Sequence, residues 1–342
     1  MVHHLSKCAS DNLVAPLFAF KLARSMMAKP GVLMNRCLPD FQALLEPKYR
    51  VFPLWEQSDK EAYLAENAES IRGLIASAAM WVDAALIDKL PKLEIVSKTG
   101  VGVDRVDLHK CKERGIAVTN TPDVGTDDCA DMAIGLLLAT MRNICAADRL
   151  VRKGLWPKLE NYPTFAHKMS GKHLGIVGLG RIGLAVAKRA EAFGCKISYL
   201  ARAEKSGLPY KFYATVLELA KNSDMLVLTC ALTKETTHLV GREVLDALGP
   251  EGFLVNVARG AVVDEQELVK ALVEERIAGA GLDVFENEPQ VPQELWNMEN
   301  VVLLPHMACH TRNTVKGILE LVVSNLDAHF LGKPLLTPYL DD

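Results

Sequence analysis

The stretch "KHLGIVGLGRIGLAVAKRAEAFG" (172–194) decides how this chain folds. It opens as a short apolar run, continues with apolar residues at helical spacing, and has glycines at the junction. Gly178, Gly180 and Gly183 stand there in G-x-G-x-x-G spacing, between a strand and a helix, the context this motif requires. Gly178 permits a tight turn, Gly180 lets a pyrophosphate approach the backbone, and Gly183 lets helix and strand pack closely. The free N–H groups and positive end of the helix dipole then face the phosphates. A tight strand–helix turn without a ligand is the bland alternative.

The same alternation runs on through "KISYLAR", "VLELAKNS", "DMLVLTC", "GFLVNVARG", "ELVKALVEERI" and "AGAGLDVF" to "NVVLLPH". Upstream, "GVLMN", "SIRGLIAS" and "LEIVSKTG" read as strands, "PDFQALLEP" and "DAALIDKL" as helices, and "ERGIAVTNTP" as a turn. Short apolar strands separated by amphipathic helices predict parallel sheets covered on both faces. The expectation is an α/β chain with two doubly wound parallel-sheet domains. A dinucleotide-binding domain spans 122–306, and 30–121 with 307–342 form the other domain. The long helix through "MAIGLLLATMRNI" is read as a connector between them. The amphipathic "TVKGILELVVSNLDAHFLG" is read as a helix returning to the first domain.

Composition narrows the function classes. The 342 residues are 49% hydrophobic and 24% charged with a net charge of −3, so no basic stripe marks a nucleic-acid or membrane-surface partner. The apolar run "ADMAIGLLLATM" is too short for a bilayer and carries Asp131, so it reads as a core helix. The eight cysteines form no C-x-x-C pair, and free thiols fit a reducing compartment, here taken as the cytoplasm. His306 and His310 make an H-x-x-x-H spacing without the glutamate of a protease, so no metal is expected. Residues 1–29 are basic and acid-poor. They are expected to be an extension rather than an organellar transit segment, with an internal start at Met26 or Met27 as a further reading.

Cofactor choice is read about twenty residues past the glycines, where NAD enzymes place an acid on the ribose. Here "ISYLARAEK" has no acid before Glu204, and Arg202 stands where a 2′-phosphate would lie, with Lys205 close by. A guanidinium pairs well with a phosphate dianion. NADPH is therefore expected over NADH. Arg202 as a solvated strand-end charge is the alternative, and Glu204 keeps it open.

Three polar side chains stand at or just after the ends of three strands: Arg259 after "FLVNV", Glu288 in the loop after "GAGLDV", and His306 after "VVLLP". In a parallel doubly wound sheet these ends share one rim, where ligands bind. Reduction of a 2-keto acid needs such a set. Histidine delivers a proton near neutral pH. A carboxylate on its other nitrogen favours the imidazolium, and arginine offers a planar fork to a carboxylate. Asp264, with Glu267 three residues on, reads as a capping box after Arg259. Each of the three alone could be a structural ion pair or cap.

Four motifs in order, "GLGRIG", "NVARGAVVDEQEL", "GLDVFENEP" and "LPHMACHT", resemble the D-isomer-specific 2-hydroxyacid dehydrogenases over roughly residues 30–338. "ISYLARAEK" and "NLDAHFLGKPLLTP" resemble the plant NADPH-dependent hydroxyphenylpyruvate and hydroxypyruvate (glyoxylate) reductases. The resemblance implies a Rossmann coenzyme domain inserted in a flavodoxin-like substrate domain, and a homodimer. It implies Arg259 on the substrate, Glu288 tuning the histidine and His306 as acid/base. It places Asp283 on the nicotinamide carboxamide and the Val101 and Gly102 amides on the substrate carboxylate. Cofactor contacts are expected at Gly178, Leu179, Gly180, Arg181, Ile182, Gly183, Ala201, Arg202, Ala203, Val257, Ala258, Asp283 and Ala308.

The chain departs from the family pattern at several points. Ala201 replaces a serine, Glu204 a basic residue and Ala231 a proline, and Ala308, Cys309 and His310 stand where relatives read Gly-Ser-Gly. These bear on substrate preference and turnover more than on fold. Formate dehydrogenase is the neighbouring enzymatic reading, and Glu288 in place of glutamine argues against it. A dinucleotide-sensing binding protein without turnover is the reading from another class.

Overall fold

The computed structural model describes residues 29–36, 39–158 and 166–339. The expected extension thus lies outside the described residues, Lys29 apart. The chain divides into two compact units. One holds the residues up to Ser97, Asp107–Thr119 and those from Val323 on; the other holds Lys98–Val106 and Asn120–Val322.

The first unit is built on a five-stranded sheet of order β2-β1-β3-β4-β5. Its strands are β1 (Gly31–Met34), β2 (Arg50–Pro53), β3 (Ile71–Ala76), β4 (Ile95–Lys98) and β5 (Ala117–Thr119). The 2-1-3-4-5 order is that of a flavodoxin-like doubly wound sheet. Val32, Leu33, Leu74, Ile75, Ile95 and Val96 on its three central strands are buried, which is why each of those strands carries consecutive apolar residues. Aspartates start three of its helices: the side chains of Asp59, Asp83 and Asp107 accept from the N–H groups of Ala62, Leu86 and Lys110 at 2.8–3.0 Å. Such caps satisfy donors that the helix itself leaves open. The end of the helix Arg312–Phe330 packs in this unit, as its amphipathic pattern predicts. Leu326 is fully buried, and Asp327 accepts from the Tyr49 hydroxyl at 2.6 Å.

The second unit carries a seven-stranded sheet of order β12-β11-β10-β9-β6-β7-β8. Its strands are β6 (His173–Val177), β7 (Lys196–Leu200), β8 (Lys211–Tyr213), β9 (Met225–Leu228), β10 (Phe253–Asn256), β11 (Gly279–Leu282) and β12 (Val301–Leu303). All six pairings are parallel. Numbered within the unit, the order is 3-2-1-4-5-6 with one strand added, a Rossmann sheet whose order reverses between β6 and β9. Side chains alternate between two cores, as period-two geometry demands. Met225 and Val227 pack in one core, Leu226 and Leu228 in the other.

The structure differs from the sequence expectation in four places. The stretch 113–122, expected as a turn, carries β5. The helix Thr126–Met141 is not a connector: Ala130, Ala133, Leu136 and Leu137 are buried in the second unit's core. It ends before Asn143, whose φ of +51° breaks it, and the helix Ile144–Arg152 follows at 64°. Unit boundaries also differ from those drawn at 121 and 306, because 98–106 and 307–322 make their contacts with the second unit. Asp104 and Asp283 supply two of those contacts, described below. Finally, Asp264 accepts from the Glu267 N–H at 3.1 Å, but the Glu267 carboxylate turns to Lys270 at 2.7 Å, so only half of the capping box forms. Among the described residues no single helix is long and apolar enough to cross a membrane.

Candidate active site

The glycine turn lies at the carboxyl end of β6, beside the order reversal, where open α/β sheets bind ligands. Gly178 has φ +97°, and a Cβ there would stand 2.6 Å from the Cys230 Cα. A Cβ at Gly183 would overlap the Gly178 carbonyl oxygen, so the helix Arg181–Glu191 sits directly on the turn. Thr229 donates to the same carbonyl at 2.7 Å. A Cβ at Gly180 would meet nothing within 4 Å. Gly180 also supplies no side-chain cap to the helix, so the first turn keeps open donors above an unobstructed backbone. A pyrophosphate fits that cradle. Leu179 is buried and Ile182 half-buried, while Arg181 bonds Asp123 at 2.6 Å.

Ala201, Arg202 and Ala203 follow β7. Ala201 is half-buried, and Arg202, Ala203 and Glu204 are exposed. The Lys205 N–H donates to the Tyr199 hydroxyl at 2.8 Å, folding the turn back onto its strand.

Past β10, buried Asn256 shapes the next turn. Its Oδ1 accepts from the Ala258 N–H at 3.0 Å, and its Nδ2 donates to the Arg259 carbonyl at 2.9 Å. Val257 and Ala258 are buried there. The Arg259 guanidinium donates to the Ala258 carbonyl at 2.7 Å and to Asp104 Oδ1 at 3.0 Å. A Cβ at Gly102 would overlap that guanidinium. The expected carboxylate-binding loop at Val101 and Gly102 therefore lies against Arg259.

The segment that places Gly102 also reaches the histidine. Arg105 stands 3.7 Å from Glu288, and both Glu288 oxygens lie 3.0 Å from His306 Nδ1. Glu288 is only 13% exposed. Burial alone would raise its carboxyl, but the bond and charge of His306, with the Phe285 N–H and Arg105, hold it below the ordinary range. His306 has φ +53°, uncommon for a residue with a side chain. Asp283 holds the chain in that turn. Its carbonyl accepts from the His306 N–H at 2.8 Å, and its two carboxylate oxygens from the Met307 and Ala308 N–H groups at 2.8 and 2.9 Å. Burial raises the Asp283 carboxyl despite those donors. Asp283 thus serves the backbone after His306, and each oxygen keeps a second lone pair. With Nδ1 on the carboxylate, Nε2 is the nitrogen left to exchange a proton.

Arg259, Glu288 and His306 are thus joined through residues 102–105, which the sequence reading passed over apart from Gly102. Asp104, Arg105 and Asn256 position them, and Lys98 enters the same electrostatic group. Lys98 is 1% exposed. Burial pushes its ammonium down to about 8, with Asp104 opposing and Arg259 and Arg105 adding to the shift. The available signal was four charged residues, Lys98, Asp104, Arg105 and Asp107, at and just after a strand that opens with Ile95 and Val96.

The sequence profile of the D-isomer specific 2-hydroxyacid dehydrogenase NAD-binding domain matches residues 134–308. The chain is 58% identical over 309 residues to hydroxyphenylpyruvate reductase of Plectranthus scutellarioides, covering 90% of this chain and 98% of that protein. It is 53% identical to glyoxylate/hydroxypyruvate reductase A HPR2 of Arabidopsis thaliana, covering 91% and 99%. A crystal structure of the NADPH-dependent glyoxylate/hydroxypyruvate reductase from Sinorhizobium meliloti, in complex with NADP and malonate, superposes with a TM-score of 0.86. That match has 41% identity and covers 91% and 97%.

Proposed function

This chain belongs to the D-isomer-specific 2-hydroxyacid dehydrogenase family, and on that basis we propose that it reduces a 2-keto acid to the D-2-hydroxy acid with NADPH. Hydroxypyruvate, glyoxylate and hydroxyphenylpyruvate are the candidate substrates, since relatives are named for them. One observation carries the reading: both oxygens of a half-buried glutamate hold one nitrogen of His306, while the loop that pairs with this glutamate lies against Arg259.

The residues divide the work as follows. The turn Gly178–Gly183 would hold the pyrophosphate, and the exposed Arg202 and Lys205 would meet the 2′-phosphate. When bound, NADPH supplies hydride to the keto carbon. Arg259, kept in place by Asp104 and the Ala258 carbonyl, grips the substrate carboxylate together with the Val101–Gly102 amides. His306 gives its Nε2 proton to the oxygen that becomes the alcohol. Glu288 holds the ring in one orientation, both its oxygens 3.0 Å from Nδ1. General acid catalysis of this kind contributes about 10²–10⁴ in rate.

The proposal extends to a homodimer in the cytoplasm, acting on a small molecule without nucleic acid or membrane. Family resemblance supports the dimer, and six free cysteines among the described residues support a reducing compartment. Sedimentation of the purified chain and imaging of a tagged full chain test these two points. The activity is tested by nicotinamide absorbance with the three keto acids and either cofactor. Turnover with NADPH is expected; tight cofactor binding without turnover on any of them would instead mark a dinucleotide sensor.

A further inference from the structure

Two thiols beside the proton donor have no part in that mechanism. Cys129 lies in the first turns of the helix Thr126–Met141, and Cys309 lies three residues past His306. Cys129 stands one helical turn past Gly125, its N–H donating to the Gly125 carbonyl at 3.0 Å, and both thiols are partly exposed. Independent contacts seat the Cys309 loop on the start of this helix. The Cys309 Cβ is 3.0 Å from where a Cβ on Gly125 would stand. Thr311 donates to Asp128 at 2.6 Å, and Thr314 donates to the Val124 carbonyl at 3.1 Å.

We propose that Cys129 and Cys309 form a dithiol modification site that takes a hydroperoxide and closes to a disulfide, switching off the adjacent proton donor. Cys309 is the attacking sulfur. The neighbouring Cys129 thiol and the charge of His306 hold Cys309 below the ordinary thiol range, whereas Cys309 and burial push Cys129 up. A thiolate is the reactive form. Cys309 sulfur attacks one peroxide oxygen, the O–O bond breaks, and the departing hydroxide takes the proton released by Cys309. That leaves a sulfenic acid and one water. The Cys129 sulfur then displaces hydroxide from the sulfenic sulfur, its proton leaving with the hydroxide as a second water. Two thiols and one hydrogen peroxide thus give one disulfide and two waters, the sulfurs losing the two electrons that the peroxide gains. A dithiol reductant reverses the change by exchange.

Closure brings the sulfurs to about 2.05 Å. The Cys309 loop must then shift against the Asp283 bonds that fix His306 to Ala308, and this loosens the His306–Glu288 pair. The effect on rate rests on His306 as proton donor; formation of the bond does not.

The test treats the full chain with hydrogen peroxide, then combines peptide mapping after alkylation with initial rates. A Cys129–Cys309 bond with a mass loss of two hydrogens is expected. Turnover should fall about a hundredfold, the share of general acid catalysis, and return with dithiothreitol. Cys129→Ser should stop at a sulfenic acid on Cys309, trapped by dimedone, and Cys309→Ser should resist peroxide. The wild-type map needs no variant, so a poorly folded variant leaves the test intact. Both thiols alkylated after treatment, a mapped bond with unchanged rate, or equal inactivation of Cys309→Ser would each overturn the proposal. A reduced enzyme inactive on every keto acid would overturn the proposed function instead, and the map would still decide the dithiol.

Discussion

Glu288→Gln isolates the part of the mechanism that rests on charge. Glutamine keeps the volume and an amide oxygen for Nδ1–H, so the ring orientation survives while the carboxylate is lost. In the native site both oxygens lie 3.0 Å from Nδ1, and the two side chains are only 13% and 28% exposed. A hydrogen bond to a charged group is worth about 1.5–3 kcal/mol. At about 1.36 kcal/mol per tenfold, kcat/KM should fall by about 10- to 150-fold. Arg105, 3.7 Å from Glu288, would also lose its counter-charge, adding positive field against the donating imidazolium. That pushes the loss toward the upper end. The assay is NADPH oxidation with hydroxypyruvate at neutral pH, alongside NADPH affinity by fluorescence. Affinity should stay within about twofold, since no bond to Glu288 involves the glycine turn. A variant within about twofold of wild type in kcat/KM, or one whose cofactor affinity falls as far as its rate, would refute the reasoning.

Replacing the proton donor itself, His306→Ala, should lower turnover by about 10²–10⁴ with NADPH affinity retained; stopped-flow rates and cofactor titration check both halves. Arg202→Ala should weaken NADPH by about 1.5–3 kcal/mol and leave NADH unchanged, whereas equal losses for both would remove the arginine from the 2′-phosphate. Lys98 predicts a pH dependence of stability. Its folded-state pKa of about 8 lies below the ordinary 10.5, so between these values the unfolded chain binds more protons. The penalty is then fully present below pH 8 and relieved as pH rises toward 10.5, on the order of 3 kcal/mol across that window. Denaturant melts should show this rise, Lys98→Met should abolish it, and a rise that persists in the variant would exclude Lys98 as its source.

Legibility followed burial. The central strands β1, β3, β4, β6, β9, β10 and β11 are buried along most of their length, and each stands out in the sequence by its consecutive apolar or glycine residues. The strands missed, β2, β5 and β8, are all at sheet edges. β2 and β8 are part-exposed along most of their length, and β5 is only three residues long. A half-covered strand of three or four residues gives no period to read. β12, also an edge, was found because "VVLLP" is apolar throughout. The glycine turn was legible because each of its glycines answers a local demand of the backbone.

Arg259, Glu288 and His306 were legible because strand ends of a parallel sheet face one way. Their coordination by Asp104, Arg105 and Asn256 was not. Asp104 lies 155 residues from Arg259 in sequence, and no local pattern encodes such a pairing. The Cys129–Cys309 approach escaped for the same reason, because only the packing of a loop on a distant helix creates it.

Transfer of isotope tests the central claim most directly. NADPH carrying deuterium on the transferred C4 position is incubated with hydroxypyruvate, and the product is examined by mass spectrometry and chiral chromatography. The account predicts D-glycerate with deuterium at C2, one molecule for each NADPH consumed. Label appearing in water, an L-product, or no oxidation of NADPH with any of the three keto acids would contradict it.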